Sequence, residues 1–223
     1  MKCWASSVSE CCSTQSREHY ITKGLFSDKT VKVVNAPFLG DGTKVLSKAS
    51  LTRKCLCKKH NELLSSYDDE AIRFGKALEY ALNLSLERRS SKQKKFSVHK
   101  KHIDREKLTR WFIKTFLGLH EFFKYPSASD QSELARLVYS KNEKAASSIQ
   151  LGIEMKANED FDIKQAVTIA SLEQNGTTIG MVVELYGIRL QGLFKKESSV
   201  RSKPLKLKFH EHRQGLSCII AIN

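Results

Sequence analysis

Leu56-Cys57-Lys58-Lys59-His60-Asn61 is the stretch that decides the fold, because it places two metal-binding side chains three positions apart. A Cys-x-x-His pair in a tight turn lets both side chains reach one ion. A second short polar stretch, Ser16-Arg17-Glu18-His19-Tyr20-Ile21, lies upstream. Together the two stretches predict an N-terminal module that is organised around a metal ion.

Clustered cysteines support this prediction. In a reducing cytosol, cysteines grouped in sequence indicate metal ligands before they indicate disulfides. Zinc takes four thiolate or imidazole ligands in a tetrahedron, so the Cys-x-x-His pair needs two more. The predicted zinc ligands are Cys57, His60, Cys3 and one of the adjacent pair Cys11 and Cys12. Cys55 and Cys218 are expected to be small core residues.

This order of cysteines, then Glu-His, then Cys-x-x-His-Asn, resembles the zinc-containing branch of the HNH (ββα-metal) endonucleases. The resemblance implies that His19 is the general base that activates a water. It also implies that Glu18 and Asn61 hold a catalytic Mg²⁺ or Mn²⁺, while the zinc is a separate structural ion. A weaker likeness continues through Arg110-Trp111-Phe112-Ile113-Lys114, since some HNH-like proteins carry a similar Trp-x-x-Lys helix after the nuclease core.

An alternative assignment of His19 stays open at this point. His19 could complete the zinc site with Cys12, Cys57 and His60, and the chain would then have no general base. In that case the zinc-stabilised module would bind nucleic acid without cleaving it.

The charge of the chain favours a polyanionic partner. The 223 residues include 38 Lys and Arg against 24 Asp and Glu, a net charge of +14. Such an excess attracts nucleic acid first and an anionic membrane surface second. No apolar run approaches the roughly 18 residues that span a bilayer, and the N-terminus lacks the apolar core of a secretory signal. We therefore expect a cytoplasmic protein that binds double-stranded DNA and not a membrane.

The basic residues concentrate in one segment. Between Glu87 and Arg110 there are ten Lys or Arg and three acids. This composition is typical of a surface strip that contacts phosphates, or of a solvated linker. The predicted nucleic-acid contacts are Arg88, Arg89, Lys92, Lys94 and Lys95.

The remaining pattern predicts an α+β protein. A helix with an apolar face follows Asp68 or Asp69 as N-cap and ends near residues 88–91. Asp104 and Asp130 are expected to cap two further helices. Short β-branched runs at 166–171, 177–185, 188–194, 205–209 and 217–222 predict an antiparallel meander, with an Asn175-Gly176 hairpin turn.

The sequence thus predicts three parts. Residues 1–86 would form the HNH-like, zinc-stabilised ββα-metal module with its following helix. Residues 87–103 would be a basic linker or strip, and 104–223 a C-terminal domain of helices and antiparallel strands. The leading functional hypothesis is a DNA endonuclease of a bacterial defence or mobile-element system. The alternatives are a non-catalytic nucleic-acid-binding module and a scaffold whose C-terminal half docks a partner protein.

Overall fold

Strands form the first and last parts of the chain and helices its middle. The computed structural model describes residues 3–34, 36, 42–90, 99–124, 127, 129–142, 146, 149–155, 167–194, 205–210 and 217–222. For 88–90, 155, 205–210 and 217–222 it describes the backbone alone. The helices are α1 (Lys58–Glu62), α2 (Ser65–Ser90), α3 (Arg105–Phe123) and α4 (Gln131–Tyr139). The strands are β1 (Gln15–His19), β2 (Thr30–Val34), β3 (Thr43–Ser47), β4 (Thr52–Cys57), β5 (His99–Ile103), β6 (Gln150–Met155), β7 (Val167–Gln174), β8 (Thr177–Leu185), β9 (Ile188–Leu193), β10 (Leu205–His210) and β11 (Ser217–Ile222).

Two small sheets organise the N-terminal part. β1 pairs antiparallel with β4, with a bulge between Ser16 and Arg17, and α1 follows β4 directly. β2 and β3 pair with each other in a separate two-stranded antiparallel ribbon, as an alternating pattern of valines favours. The ribbon is therefore an insertion in the connection between β1 and β4.

The second helix begins earlier than its sequence predicts. α2 starts at Ser65, so Asp68 lies in its first turn and is not its N-cap. The physical reason is that the Asp68 carboxylate is bound by Lys114 and Thr22, and its own N–H donates at 3.2 Å to the O of Leu64, the residue just before the helix. The helix ends at Ser90, within the predicted region.

The third helix forms the centre of the core. Its predicted cap is confirmed, because Asp104 Oδ1 accepts from the Lys107 N–H at 3.0 Å. Its residues from Leu108 to Glu121 are buried. The Phe116 ring packs against Phe194, with their centroids 4.3 Å apart. α2 and α4 pack against other faces of α3, which therefore joins the helices to the C-terminal sheet.

The C-terminal sheet has the order β6-β9-β8-β7, and every pair in it is antiparallel. Asn175 and Gly176 both have positive φ (52° and 72°), as the predicted type I′ turn requires. A second turn of this kind joins β8 to β9 through Tyr186 and Gly187, at 54° and 76°. Gly192 allows this sheet to approach α3, because a Cβ there would lie 2.5 Å from the Phe112 ring.

One part of the predicted meander is wrong. β10 and β11 do not continue the four-stranded sheet but form a second sheet of order β10-β11-β5, in which β11 and β5 run parallel. β5 spans His99–Ile103, at the end of the segment predicted to be a basic linker or strip. Parallel pairing needs a long connection, which local sequence patterns do not reveal.

The fold is α+β, as predicted. Its hydrophobic core is one cluster that runs from Cys3 and Trp4 through α2 and α3 to Phe194, so it includes residues on both sides of the predicted linker. Whether 1–86, 87–103 and 104–223 fold as separate units stays a prediction. In the described part of the chain, no helix is long and apolar enough to cross a membrane.

Candidate metal centre and adjoining polar site

Four potential metal ligands converge at the N-terminal end of the core. Cys3, Cys11, Cys57 and His60 offer ligand atoms that all lie within 4.8 Å of one another. His60 Nδ1 lies 3.1 Å from Cys57 Sγ, 3.4 Å from Cys3 Sγ and 3.7 Å from Cys11 Sγ. With tetrahedral Zn–S and Zn–N bonds, sulfur and nitrogen ligands stand about 3.5 Å apart. The cluster could therefore hold a metal ion such as zinc.

Local structure brings these ligands together. Cys57 ends β4, and His60 follows within the single turn of α1. The N-terminal segment joins β4 through the Trp4 N–H, which donates to Cys55 O at 3.1 Å, and through Cys3 Sγ, which accepts from the Cys57 N–H at 3.5 Å. The pairing of the chain's first residues with the edge of β4 thus places Cys3 beside the Cys-x-x-His turn.

The imidazole of His60 is held in one orientation. Its Nε2 lies 2.8 Å from Ser9 Oγ, which leaves Nδ1 facing the three sulfurs. The Tyr139 hydroxyl donates to His60 O at 3.0 Å, and the two rings meet edge to face. Burial lowers the pKa of His60 and keeps the ring neutral, as a metal ligand must be. Partners of this kind on the non-ligating nitrogen orient metal-binding histidines.

The thiols are crowded, which favours a cation between them. Burial and the neighbouring Cys3 raise the pKa of Cys11 to about 12. Burial would also raise the pKa of Cys57, but N–H groups and neighbouring thiols that donate to its sulfur lower it. Because the thiolate is the form that binds metal, a divalent ion would allow adjoining thiols to ionise together.

The structure decides between the adjacent cysteines. Cys12 Sγ is not one of the four converging ligand atoms; it donates to Thr14 O at 3.5 Å and accepts from the Lys59 N–H at 3.4 Å. Cys55 is buried outside the cluster, and burial raises its pKa to about 12. The structure does not bring together the alternative set of Cys12, Cys57, His60 and His19, because neither Cys12 nor His19 belongs to the cluster.

A buried ion-pair network lies beside this centre. Lys114 on α3 is 2% exposed, and its ammonium donates to Glu18 Oε1 and, at 2.8 Å, to Asp68 Oδ2. Thr22 Oγ1 donates to the other oxygen of Asp68 and accepts from Trp111 Nε1 at 2.8 Å. The Trp-x-x-Lys of α3 therefore connects β1, the following turn and α2.

The charges in this network follow from its burial. Burial alone would lower the pKa of Lys114, but the carboxylates of Glu18 and Asp68 outweigh it and raise the pKa, so the ammonium stays charged. Burial raises the pKa of Glu18, and Lys114 opposes that shift. The Glu18 carboxylate thus serves as the partner of a buried cation.

His19 follows Glu18 directly on β1 and Asn61 bonds to the same strand, and each has one buried atom that no described residue bonds. Asn61 Nδ2 donates to Ser16 Oγ at 2.9 Å and to Arg17 O at 3.2 Å, which fixes the side chain against the bulge of β1. Among the described residues, Asn61 Oδ1 and His19 Nε2 have no hydrogen-bond partner. Burial, with the nearby charges of Lys23 and Lys114, lowers the pKa of His19, so its ring is neutral near pH 7.

The predicted catalytic cation site does not appear as a cluster. In the described part of the chain, the only group of three or more His, Cys, Asp or Glu that could hold a metal ion is the one at Cys3, Cys11, Cys57 and His60. The predicted basic contacts cannot be placed either. Arg88 and Arg89 end α2 with side chains outside the description, and Lys92, Lys94 and Lys95 lie outside the described residues.

Comparison with known proteins leaves the family open. No protein-family model, no curated protein and no solved structure matches this chain. Sequence reasoning noted Lys114 only in the Trp-x-x-Lys likeness and Asp68 only as a helix cap, and it missed Thr22 and Ser9. The spacing of Trp111 and Lys114 on one helix indicated that these two side chains share a face. Nothing in the sequence indicated a role for Ser9 or Thr22.

The adjacent cysteines supply a matched test of the metal centre. We expect the purified chain to hold about one zinc per molecule and Cys11→Ser to lose most of it. Cys12→Ser should keep its zinc and its melting temperature, because Cys12 lies outside the cluster. Elemental analysis and thermal melts of the two variants check this. Equal zinc in both variants, or zinc loss confined to Cys12→Ser, would contradict the assignment.

Replacement of the buried lysine should be costly. Lys114→Met leaves two carboxylates without their cation, and breaking a buried pair in this way typically costs about 3–5 kcal/mol. Because unpaired buried carboxylates can take up protons, the difference from the parent chain should shrink as the pH falls from 7 to 5. Urea unfolding at both pH values measures it, with the exposed Lys107→Met of the same helix as control. A loss below 1 kcal/mol at pH 7 would exclude this role for Lys114.

Proposed function

We propose that the chain is a metal-dependent endonuclease of the HNH type that hydrolyses phosphodiester bonds of DNA. The observation that carries the proposal is that His19 Nε2 and Asn61 Oδ1 are two of several buried polar atoms without a hydrogen bond among the described residues. One lies on β1 and the other on the helix that carries the cluster ligand His60. These are the two positions to which the resemblance assigns the base and a cation ligand.

The chemistry needs a proton acceptor that is neutral at working pH. An activated water attacks phosphorus, the bond from phosphorus to the leaving oxygen breaks, and the proton of the water passes to the base. His19 suits this role because burial and two nearby ammonium groups lower its pKa, so the ring is uncharged near pH 7. Its Nε2 has no hydrogen bond among the described residues that would have to break before it accepts the proton.

A catalytic Mg²⁺ or Mn²⁺ fits Asn61 better than Glu18. The Asn61 oxygen is buried and accepts no hydrogen bond from a described residue, and the two hydrogen bonds of the amide nitrogen hold it in place. Glu18, by contrast, is already paired with Lys114. Mg²⁺ and Mn²⁺ keep several waters and bind substrate phosphates, so one protein oxygen can suffice as the chain's own ligand to the ion.

The β1–β4 pair followed by α1 also supports the proposal. It supplies two antiparallel strands and a helix in the order that a ββα-metal module has, with His19 at the end of the first strand. The four-ligand cluster joins the N-terminal segment, β4 and α1 at one point, and proposed zinc there would hold Asn61 in place beside β1. The net charge of +14 suits a nucleic-acid substrate.

A second candidate rests on the Glu18–Lys114 pair. If the Glu18 carboxylate serves only to stabilise the buried Lys114 ammonium, the chain would keep the zinc-ordered module and bind DNA without cleaving it. This version shares every structural element with the first and differs only in the chemistry at His19.

Cleavage of supercoiled plasmid separates the two. We expect nicking that requires added Mg²⁺ or Mn²⁺ and that falls by about 10²–10⁴-fold in His19→Ala, the usual contribution of a general base. The variant should keep its zinc, its melting temperature and its DNA affinity, because His19 is outside the cluster. The exposed His102→Ala is the matched control and should cleave like the parent.

Asn61→Ala adds a second readout. Raised Mn²⁺ should restore part of its activity if Asn61 holds the ion, whereas raised Mn²⁺ should not restore His19→Ala. Loss of zinc and unfolding in His19→Ala would make His19 a structural residue. Absence of cleavage by the folded, zinc-loaded parent under all divalent ions would leave the binding module as the function.

A further inference from the structure

We propose that the β2–β3 ribbon enters the major groove of duplex DNA and reads base edges there. The inference rests on the proposed function, since it takes DNA as the ligand of the chain. It adds an element that would select the DNA sequence, a role that neither His19 nor the four-ligand cluster fills.

The ribbon is joined to the candidate site at both of its ends. β1 ends at His19, and β4 begins at Thr52, which is the register partner of His19. The chain therefore leaves and re-enters the site at one point, with the ribbon between. DNA bound at His19 would have the ribbon beside it along the duplex.

One face of the ribbon is anchored and the other is open. Val31 and Val33 on β2 and Leu46 on β3 pack against the hydrophobic core. In the antiparallel register, side chains of directly paired residues share a face. The open face consists of three cross-strand pairs whose residues are all exposed: Thr30 with Ser47, Lys32 with Val45, and Val34 with Thr43.

The chemistry of this face suits base edges. It offers hydroxyls, one ammonium and the methyl groups of two exposed valines, of which Val34 is 50% and Val45 65% exposed. Hydroxyls and ammonium groups bond base nitrogens and oxygens in the major groove, and small apolar groups contact the thymine methyl. The groove is about 12 Å wide and admits a two-stranded ribbon. A protein-docking face would instead be expected to present large aromatic or Met side chains.

The charge around the ribbon complements phosphates. From Lys23 to Lys59 the sequence holds nine Lys or Arg and two acids. Lys48 is tied internally, since its Nζ donates to Phe26 O at 2.7 Å, and it braces the base of the ribbon. Lys29 is exposed where the ribbon starts, and there it would meet a DNA backbone that flanks the groove. Lys44 is also exposed, but it pairs with Val33 and shares the anchored face.

Selection from a pool of random DNA duplexes tests the inference. The parent in this selection is the zinc-loaded chain of 223 residues with His19→Ala, so that the bound DNA is not cleaved. We expect this parent to enrich a short motif. The added changes Thr30→Ala, Lys32→Ala and Thr43→Ala should reduce its preference for that motif about 5- to 150-fold, the usual value of one good base contact. Lys107→Ala, which also removes one exposed lysine, should keep the parent's preference.

Three outcomes would overturn the ribbon assignment. The first is that the triple variant enriches the same motif as strongly as the parent, and the second is that the parent enriches no motif. The third is that the parent binds duplex RNA as tightly as duplex DNA, because the major groove of RNA is too deep and narrow for side chains. Nuclease activity is measured separately on the chain with His19 intact. Cleavage without ribbon-dependent preference removes only this inference, and preference without cleavage removes only the proposed chemistry.

Discussion

The geometry of the N-terminal module depends on four soft ligands that are held around one point. Cys3 and Cys11 come from a segment with few backbone bonds to the rest of the fold, whereas Cys57 and His60 come from β4 and α1. An ion at this point would connect pieces that are far apart in sequence, and its binding free energy would be folding free energy. Asn61 follows His60 directly, so any loss of order at the cluster would reach the candidate site.

A second constraint is the buried ion-pair network around Lys114. Lys114 is nearly inaccessible and needs the carboxylates of Glu18 and Asp68 to stay charged. The pair ties β1 to α3, the most buried helix, so Glu18 points inward while His19 lies on the neighbouring, half-exposed position. The alternation of a strand thus separates the two residues of the Glu-His pair. Glu18 pairs with a buried cation, and His19 is the residue to which the proposed function assigns the base.

Local chemistry allowed prediction of much of this, and long-range pairing limited it. The Cys-x-x-His spacing, the Asp104 cap and the Asn175-Gly176 turn depend on neighbouring residues, so the sequence revealed them. The choice of Cys11 over its neighbour depends on the path of a loop. The pairing of Glu18 with Lys114 joins residues 96 positions apart, and that of β5 with β11 joins strands that no short pattern connects. Such contacts come from global packing and are not encoded in any window of sequence.

The central claim is that a zinc-ordered module positions the residues that cleave DNA. Its most direct test is plasmid cleavage by the same wild-type sample before zinc removal, after removal by a chelator, and after zinc is restored, with Mg²⁺ held constant throughout. The account predicts that cleavage disappears with the zinc and returns with it, in parallel with the melting temperature. Full cleavage by the zinc-free chain, or none by the zinc-loaded chain, would contradict it.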